Sequence, residues 1–342
     1  MCEVPLCLSR RAPLFRNFSH QERPVIMIFS LRNSLKHALL LSALGLLAAP
    51  AASASALAHT WVSGTGADSG PCSRAAPCQT FQYALSQTAV GGILSVVDAG
   101  DYGAATITQA VTIAGAGANA SIAVGSGAAI TINAPAGAAV TLRHLTLTGT
   151  GGASGGQIGI AYNTGGPLTV EDCEADNFAV NGIDLAGPGP ALLTHSKFLN
   201  DAQRGVYVDE GGPALTSIRD ATISGSGIGL YTCAGTTDIS RSLVSQNRSN
   251  SLARFYGIFA DMGSTISVSG CTVSGNGVGL RAAPNCLIRL SDNDIWNNDQ
   301  GIDSTGNQNE PGVGTYSTAQ NNRKAGNATP GMPTPGRTIV VQ

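Results

Sequence analysis

Five residues of types suited to acid–base chemistry recur at one position of a repeating pattern: His144, Asp172, His195, Asp220 and Arg241. Each stands two residues after an apolar residue, namely Leu142, Val170, Leu193, Ile218 and Ile239. On parallel strands stacked about 4.8 Å apart, each His would lie beside an Asp. A carboxylate next to an imidazole tunes it as a general base. The same placement also makes an exposed ladder of opposite charges that only holds coils in register, and the spacing favours that plainer role. No catalytic residue is assigned beyond these candidates.

A second set could bind rather than react. Asp184, Tyr207, Tyr231, Phe259, Arg281 and Asp303 follow one another at equivalent positions. Asp184, Tyr207 and Phe259 lie between the apolar pairs Ile183/Leu185, Val206/Val208 and Ile258/Ala260, so the column faces outward if the pairs face inward. Aromatic residues make up only 5% of the chain, so three consecutive outward rings are a signal. Flat rings beside charged groups suit a sugar face; a stack along the sheet, or a patch covered by a loop or another subunit, would look the same. Tyr207, Tyr231 and Phe259, with Asp184 and Arg281 as polar ends, are the expected binding residues, in a shallow groove. Two coils carry insertions just before this strand: Gly149 to Gly159 and Gln246 to Gly257 are ten and eleven residues apart, where Asn177 to Gly182 is five. The second insertion brings Arg248 and Arg254, which suit an acidic sugar.

The elements that must position these residues show in a repeat. A Gly followed by Ile, Leu or Val recurs at Gly159, Gly182, Gly205, Gly229, Gly257, Gly279 and Gly301, with spacings of 23, 23, 24, 28, 22 and 22. An apolar anchor column runs Leu142, Val170, Leu193, Ile218, Ile239, Val268 and Leu290, with further core candidates three and five residues on. Alternation of period two inside each run means strand. Seven residues after the anchor stand Gly149, Asn177, Asn200, Gly225, Gln246, Gly275 and Asn297, a column dominated by residues that tolerate a left-handed backbone. One unit is strand, bend, strand, tight turn, strand, long turn. It cannot bury its apolar side alone, but stacked units can. The fold expected is all-β: a right-handed parallel β-helix of roughly ten coils, 22–24 residues each. A short helix at 80–88, with Thr80 as N-cap and Phe81, Ala84 and Leu85 on one face, would cover the first coil.

Composition sets the boundaries. Arg32, Lys36 and His37 precede an uncharged run from Ala38 to Ala58 that ends in an A-x-A cleavage pattern, Ala56-Leu57-Ala58. Residues 27–58 read as a signal peptide, 1–26 as a disordered upstream mis-start, 59–92 as an N-terminal cap, 93–306 as the solenoid and 307–342 as an irregular tail with a final strand at Ile339–Val341. Export, secreted or periplasmic, makes a Cys72–Cys78 disulfide the natural reading of their spacing; Cys173 and Cys271 should be buried thiols. Net charge of −2 offers no attraction to nucleic acid or anionic membrane. No metal-ligand spacing and no cofactor motif is present, so no metal and no cofactor is expected. Three glycosylation acceptor matches, at Asn119, Asn247 and Asn327, are of the kind chance supplies in a Ser/Thr-rich chain.

The stretches Trp61-Val62-Ser63-Gly64, Pro71-Cys72, Ala76-Pro77-Cys78-Gln79-Thr80-Phe81 and Ala105-Thr106-Ile107 resemble bacterial secreted right-handed β-helix repeat proteins of the pectin-lyase-like superfamily. The resemblance spans about residues 60–305. It implies the fold, and it admits polysaccharide lyases, hydrolases and epimerases as relatives. In lyase members the catalytic groups commonly project from the sheet carrying the anchor column. Here the outward row of that sheet reads Thr169, Leu192, Ser217, Asp238, Ser267 and Arg289, without clustered acids and bases. A polysaccharide or cell-surface glycan is therefore the expected partner, bound without catalysis. A polysaccharide lyase or glycoside hydrolase, and a structural or adhesive spacer, are the alternatives.

The inside/outside assignment is testable. Ile183→Asp or Val268→Asp puts an unpaired charge in the stack and should cost several kcal/mol, whereas Thr169→Asp should be nearly neutral. Thermal unfolding reads the difference, and equal stabilities would overturn the assignment.

Overall fold

The computed structural model describes residues 56–331 except 116–118, 151, 153, 154, 234, 249–254, 308, 309 and 330. The leader expected at 1–58, apart from its last three residues, the tail strand at 339–341 and Arg254 lie outside the described residues. The chain winds through three parallel sheets of 11, 10 and 9 strands, in which each strand pairs with its counterparts one coil away. The anchor column is in strict register: Leu142 pairs with Val170, Val170 with Leu193, Leu193 with Ile218, Ile218 with Ile239, Ile239 with Val268 and Val268 with Leu290. The Gly-Ile column stacks likewise from Ile160 through Ile183, Val206, Leu230, Ile258 and Leu280 to Ile302. All these side chains are buried, so like packs on like along the axis. Each contributes about 1.5–3 kcal/mol before entropy.

The glycine in each Gly-Ile pair has a packing cause. A Cβ on Gly257 would stand 2.8 Å from Asn276 Nδ2 and 2.6 Å from the Gly279 carbonyl oxygen, and Gly279 is crowded the same way by Asn298 and Gly301. Those asparagines form a buried ladder. Asn276 Oδ1 accepts from the backbone N–H and Nδ2 of Asn247 at 3.0 and 2.9 Å. Asn298 serves Asn276, and Asn327 serves Asn298, at 3.0 Å throughout. Each Nδ2 also donates to a carbonyl one coil back, as from Asn276 to Val244 at 3.1 Å. Turn backbone is thereby satisfied inside the core. Asn247 and Asn327 are structural, which removes two of the three glycosylation matches.

Two columns have a left-handed backbone, not one. The expected column holds at Asn177, Asn200, Gly225, Gln246, Gly275 and Asn297 but not at Gly149. The second consists of His144, Asp172, His195, Asp220, Arg241, Gly270 and Asp292, with φ between 46° and 59°. His and Asp are among the non-glycine residues enriched in that region.

The first coil is closed as expected. The helix Phe81–Gln87 has Thr80 Oγ1 accepting from the Tyr83 N–H at 3.2 Å and buries Phe81, Ala84 and Leu85. Cys72 and Cys78 form a disulfide, and its turn covers the open edge of the first strand, Leu57–Val62. Trp61 N–H donates to the Cys72 carbonyl at 2.8 Å, and Cys78 N–H to the Trp61 carbonyl at 2.9 Å. Cys173, Cys271 and Cys286 are buried thiols. Two expected boundaries need correction. The strand Thr88–Val96 already pairs within the solenoid, so 88–92 is not cap. The supposed irregular tail carries further strands, Thr315–Thr318 on Leu287–Ser291 and Arg323–Ala325 on Asp294–Trp296. Buried Tyr316, Asn322, whose Oδ1 accepts from Asn293, and the ladder residue Asn327 hold this stretch, without any Gly-Ile pair to betray it.

Asp201 takes a ladder place where later coils have Asn. Its Oδ1 accepts from the Phe178 N–H at 3.0 Å, but its Oδ2 has no partner, and burial drives its carboxyl well above the usual range. Burial opposes the ionised form in the fold but not in the unfolded chain. Its contribution is therefore whole below the unfolded pKa of about 4 and is lost as pH rises from there through the raised folded pKa. Asp201→Asn supplies the missing donor and should stabilise the protein by about 1–3 kcal/mol at pH 7, with a smaller gain at pH 4. Urea unfolding at both pH values checks this; an equal gain at both would contradict it.

Candidate functional site

The nine-stranded sheet carries the aromatic column on its outer face. Register runs Ala161, Asp184, Tyr207, Tyr231, Phe259, Arg281, Asp303. The rings stack face to face, Tyr207 on Tyr231 at 5.5 Å between centroids and Tyr231 on Phe259 at 4.9 Å. The position is outward, but the expected row of three exposed rings is not found. Tyr231 and Phe259 are 5% and 4% exposed, and only Tyr207 is half-buried. The reason is a second outward column beside the first, formed by the residues that precede each glycine: Asn181, Arg204, Ile228, Tyr256, Val278 and Gln300. The Arg204 guanidinium lies 4.5 Å from the Tyr207 centroid and 5.1 Å from that of Tyr231. Tyr256 tilts against Phe259 at 4.8 Å, and Arg281 lies 5.6 Å from both of those rings.

This second column is hidden from period-two reasoning. The glycine turns inward toward the polar ladder and breaks the alternation, so both its predecessor and the residue two after it face out. A residue before each repeated Gly was the available signal for Arg204 and Asn181.

Carboxylates complete the face. Tyr207 donates its hydroxyl to Asp209 Oδ1 and Tyr231 donates to Asp261 Oδ2, both at 2.8 Å. Burial and those neighbouring carboxylates hold both phenols above their ordinary range. Asp184 is pushed up to about 6, first by burial and then by the charge of Asp209, against the pull of Asn181 and Arg204. Arg281 forms a buried ion pair with Asp303. At the far end a depression of about 420 Å³ is lined in part by Tyr256, Val278, Asp299 and Gln300.

The other candidates are not drawn into this face. His144 and Asp172 come within 3.8 Å, and His195 and Asp220 within 3.9 Å, all substantially exposed on the turn column. Arg241 holds Asp220 through two hydrogen bonds of 2.9 and 2.8 Å and lowers its carboxyl pKa. That is the geometry of an exposed charge ladder. Arg248 does not turn its charge to the rings; it pairs with Asp299 through Nη1 and Nη2 at 2.8 and 2.9 Å. Among the described residues no three His, Cys, Asp or Glu side chains are grouped to hold a metal, and no helix is long and apolar enough to cross a membrane.

Residues 181–329 match a family model described as the right handed beta helix region. The solenoid is a right-handed parallel β-helix. This β-helix overlays the crystal structure of pectate lyase Pel9A with a TM-score of 0.57 at 12% identity, over 82% of this chain and 77% of that one. Looser overlays, with TM-scores of 0.47 and 0.43 at 16% identity, are found with the A-modules of the Azotobacter vinelandii mannuronan C-5 epimerases AlgE4 and AlgE6. They cover 74% and 73% of this chain and 91% and 90% of those. No curated protein matches the sequence.

Burial orders the rings. Tyr231→Ala should cost about 3–5 kcal/mol, as large aromatic deletions in cores do, and Tyr207→Ala distinctly less. Chemical denaturation of the two variants reads this, and equal losses would contradict the packing described.

Proposed function

We propose that this β-helix is an exported protein that binds a polysaccharide or cell-surface glycan, without cleaving it, on the outer face of its nine-stranded sheet. One observation carries the reading. This face concentrates rings, guanidiniums and carboxylates, whereas the outward row of the anchor sheet, Thr169, Leu192, Ser217, Asp238, Ser267 and Arg289, carries no ring and only one acid and one base. Ligand entry is at Tyr207, Asp184 and Asp209, the half-buried end of the stack. Aromatic rings bordered by hydrogen-bonding groups are suited to the alternating C–H and O–H surface of a sugar. The structural neighbour named a pectate lyase makes a polysaccharide the natural ligand class to test first.

Polysaccharide cleavage is the second reading, and one observation favours it. Burial and the charge of Asp209 push Asp184 up to about 6 beside a tyrosine–carboxylate pair, which is how general bases are often poised.

A glycan array with the wild type and Tyr207→Ala tests the binding reading. Wild-type binding that Tyr207→Ala abolishes while melting cooperatively supports it. No binding to any glycan, or equal binding by the variant, overturns it. New reducing ends or unsaturated products from a bound glycan would move the assignment to the second reading.

A further inference from the structure

The leader cut expected after Ala58 falls inside folded structure. The first strand of the eleven-stranded sheet is Leu57–Val62, so Leu57 and Ala58 both belong to it. Its partner strand bulges at this point: His59 pairs with Ile93, whereas Leu57 pairs with Thr88. Ala89 to Gly92 therefore stand opposite Ala58 alone. A Cβ on Gly92 would lie 2.9 Å from the Ala58 carbonyl oxygen, so the two strands are in close contact across the bulge. Leu57 is half-buried, whereas Ala56 is exposed and outside the strand.

Thr88 gives this pairing its weight. It ends the capping helix Phe81–Gln87: its backbone N–H donates to the Leu85 carbonyl, and its hydroxyl donates to the Ala84 carbonyl at 2.7 Å. The same hydroxyl accepts from Thr60 Oγ1 at 2.6 Å, and Thr88 is buried. The Leu57 end of the first strand is thus joined to the lid that closes the first coil. A chain that began at His59 would leave Thr88 and the bulge without their strand partner, and would lengthen the open edge of the solenoid.

We propose that leader removal hydrolyses the Ala56–Leu57 bond, so that the mature chain begins at Leu57. The proposal rests on the export reading above and names the processing site. Ala54-Ser55-Ala56 has the same small-x-small pattern as Ala56-Leu57-Ala58, one frame earlier. The pattern does not choose between the two frames; the strand does. Water adds across the amide, leaving a carboxylate on Ala56 of the released leader and an ammonium on Leu57. Cut there, the first strand keeps all six residues, and the new charge stands at its exposed flank. Cut after Ala58, the ammonium would fall within the strand on His59, whose ring stacks on Trp61 at 4.3 Å and bonds Ser95 Oγ at 2.8 Å. Cleavage of an already folded chain is directed to the same bond, since proteolysis favours exposed flanks over paired strands.

Intact-mass measurement and N-terminal sequencing test this on the full chain, expressed with its leader in a bacterial host, for the wild type, Ala54→Asp and Ala58→Asp. Both readouts report the cut whether or not a variant folds. The wild type should begin at Leu57. Ala58 lies beyond the proposed cut, so Ala58→Asp should be processed at Leu57 as well, whereas Ala54→Asp, which puts a charge at a small-residue position, should lose the Leu57 product. A wild type that begins at His59, Ala58→Asp retained with its leader, or Ala54→Asp still cut at Leu57 overturns the proposal and leaves the export reading standing. A wild-type chain that keeps its leader uncut overturns both.

Discussion

Strict coil-on-coil register is the constraint on which the rest of this molecule depends. A solenoid of short strands has no long-range crossing to lock it, so each turn must hand its hydrogen bonds to the next at one fixed offset. The buried Asn247–Asn276–Asn298–Asn327 ladder enforces that offset by satisfying the turn backbone from within the core. Because each ladder amide occupies the space beside the Gly-Ile strand of the preceding coil, that strand must carry glycine there. The glycine in turn reverses the alternation of the strand and brings Asn181, Arg204 and Tyr256 outside, beside the aromatic column. A packing requirement in the core thus creates the two-column width of the candidate site.

The same chain of causes explains what was legible in the sequence. Inward columns were readable because one residue class repeats in each and the spacing is nearly constant. Ile183, Leu193 and Phe198 fall on their stacks for that reason. The outward order of Asp184, Tyr207, Tyr231, Phe259 and Arg281 follows from the inward one with no further assumption. Their burial does not follow, because it depends on Arg204 and Tyr256, which belong to the column that the glycine displaces. Nor was the left-handed turn at His144, Asp172, His195 and Asp220 visible: charged residues there invite an electrostatic reading, while their backbone role is silent in composition. The last coil escaped for a similar reason. It is held by Tyr316 and by asparagines that look like loop residues until the ladder above them is known.

Electrostatics then separates the two charged regions of the surface. The turn column with Arg241 and Asp220 is exposed, paired and screened, which suits register and little else. The sheet face is desolvated, and there the same residue types behave differently: burial pushes Asp184 up to about 6, and the Tyr207 and Tyr231 hydroxyls are committed to Asp209 and Asp261. The fold shared with a pectate lyase leaves that chemistry open, since it is these side chains and not the solenoid that select a ligand.

A crystal structure of the protein soaked with a bound oligosaccharide tests the central claim most directly. The account predicts a sugar ring against Tyr207, with polar atoms within hydrogen-bonding distance of Asp184 or Asp209. A sugar seated instead on the Thr169–Ser217–Ser267 face, or along the His144–Asp220 turn column, with the Tyr207 cluster unchanged, would contradict it.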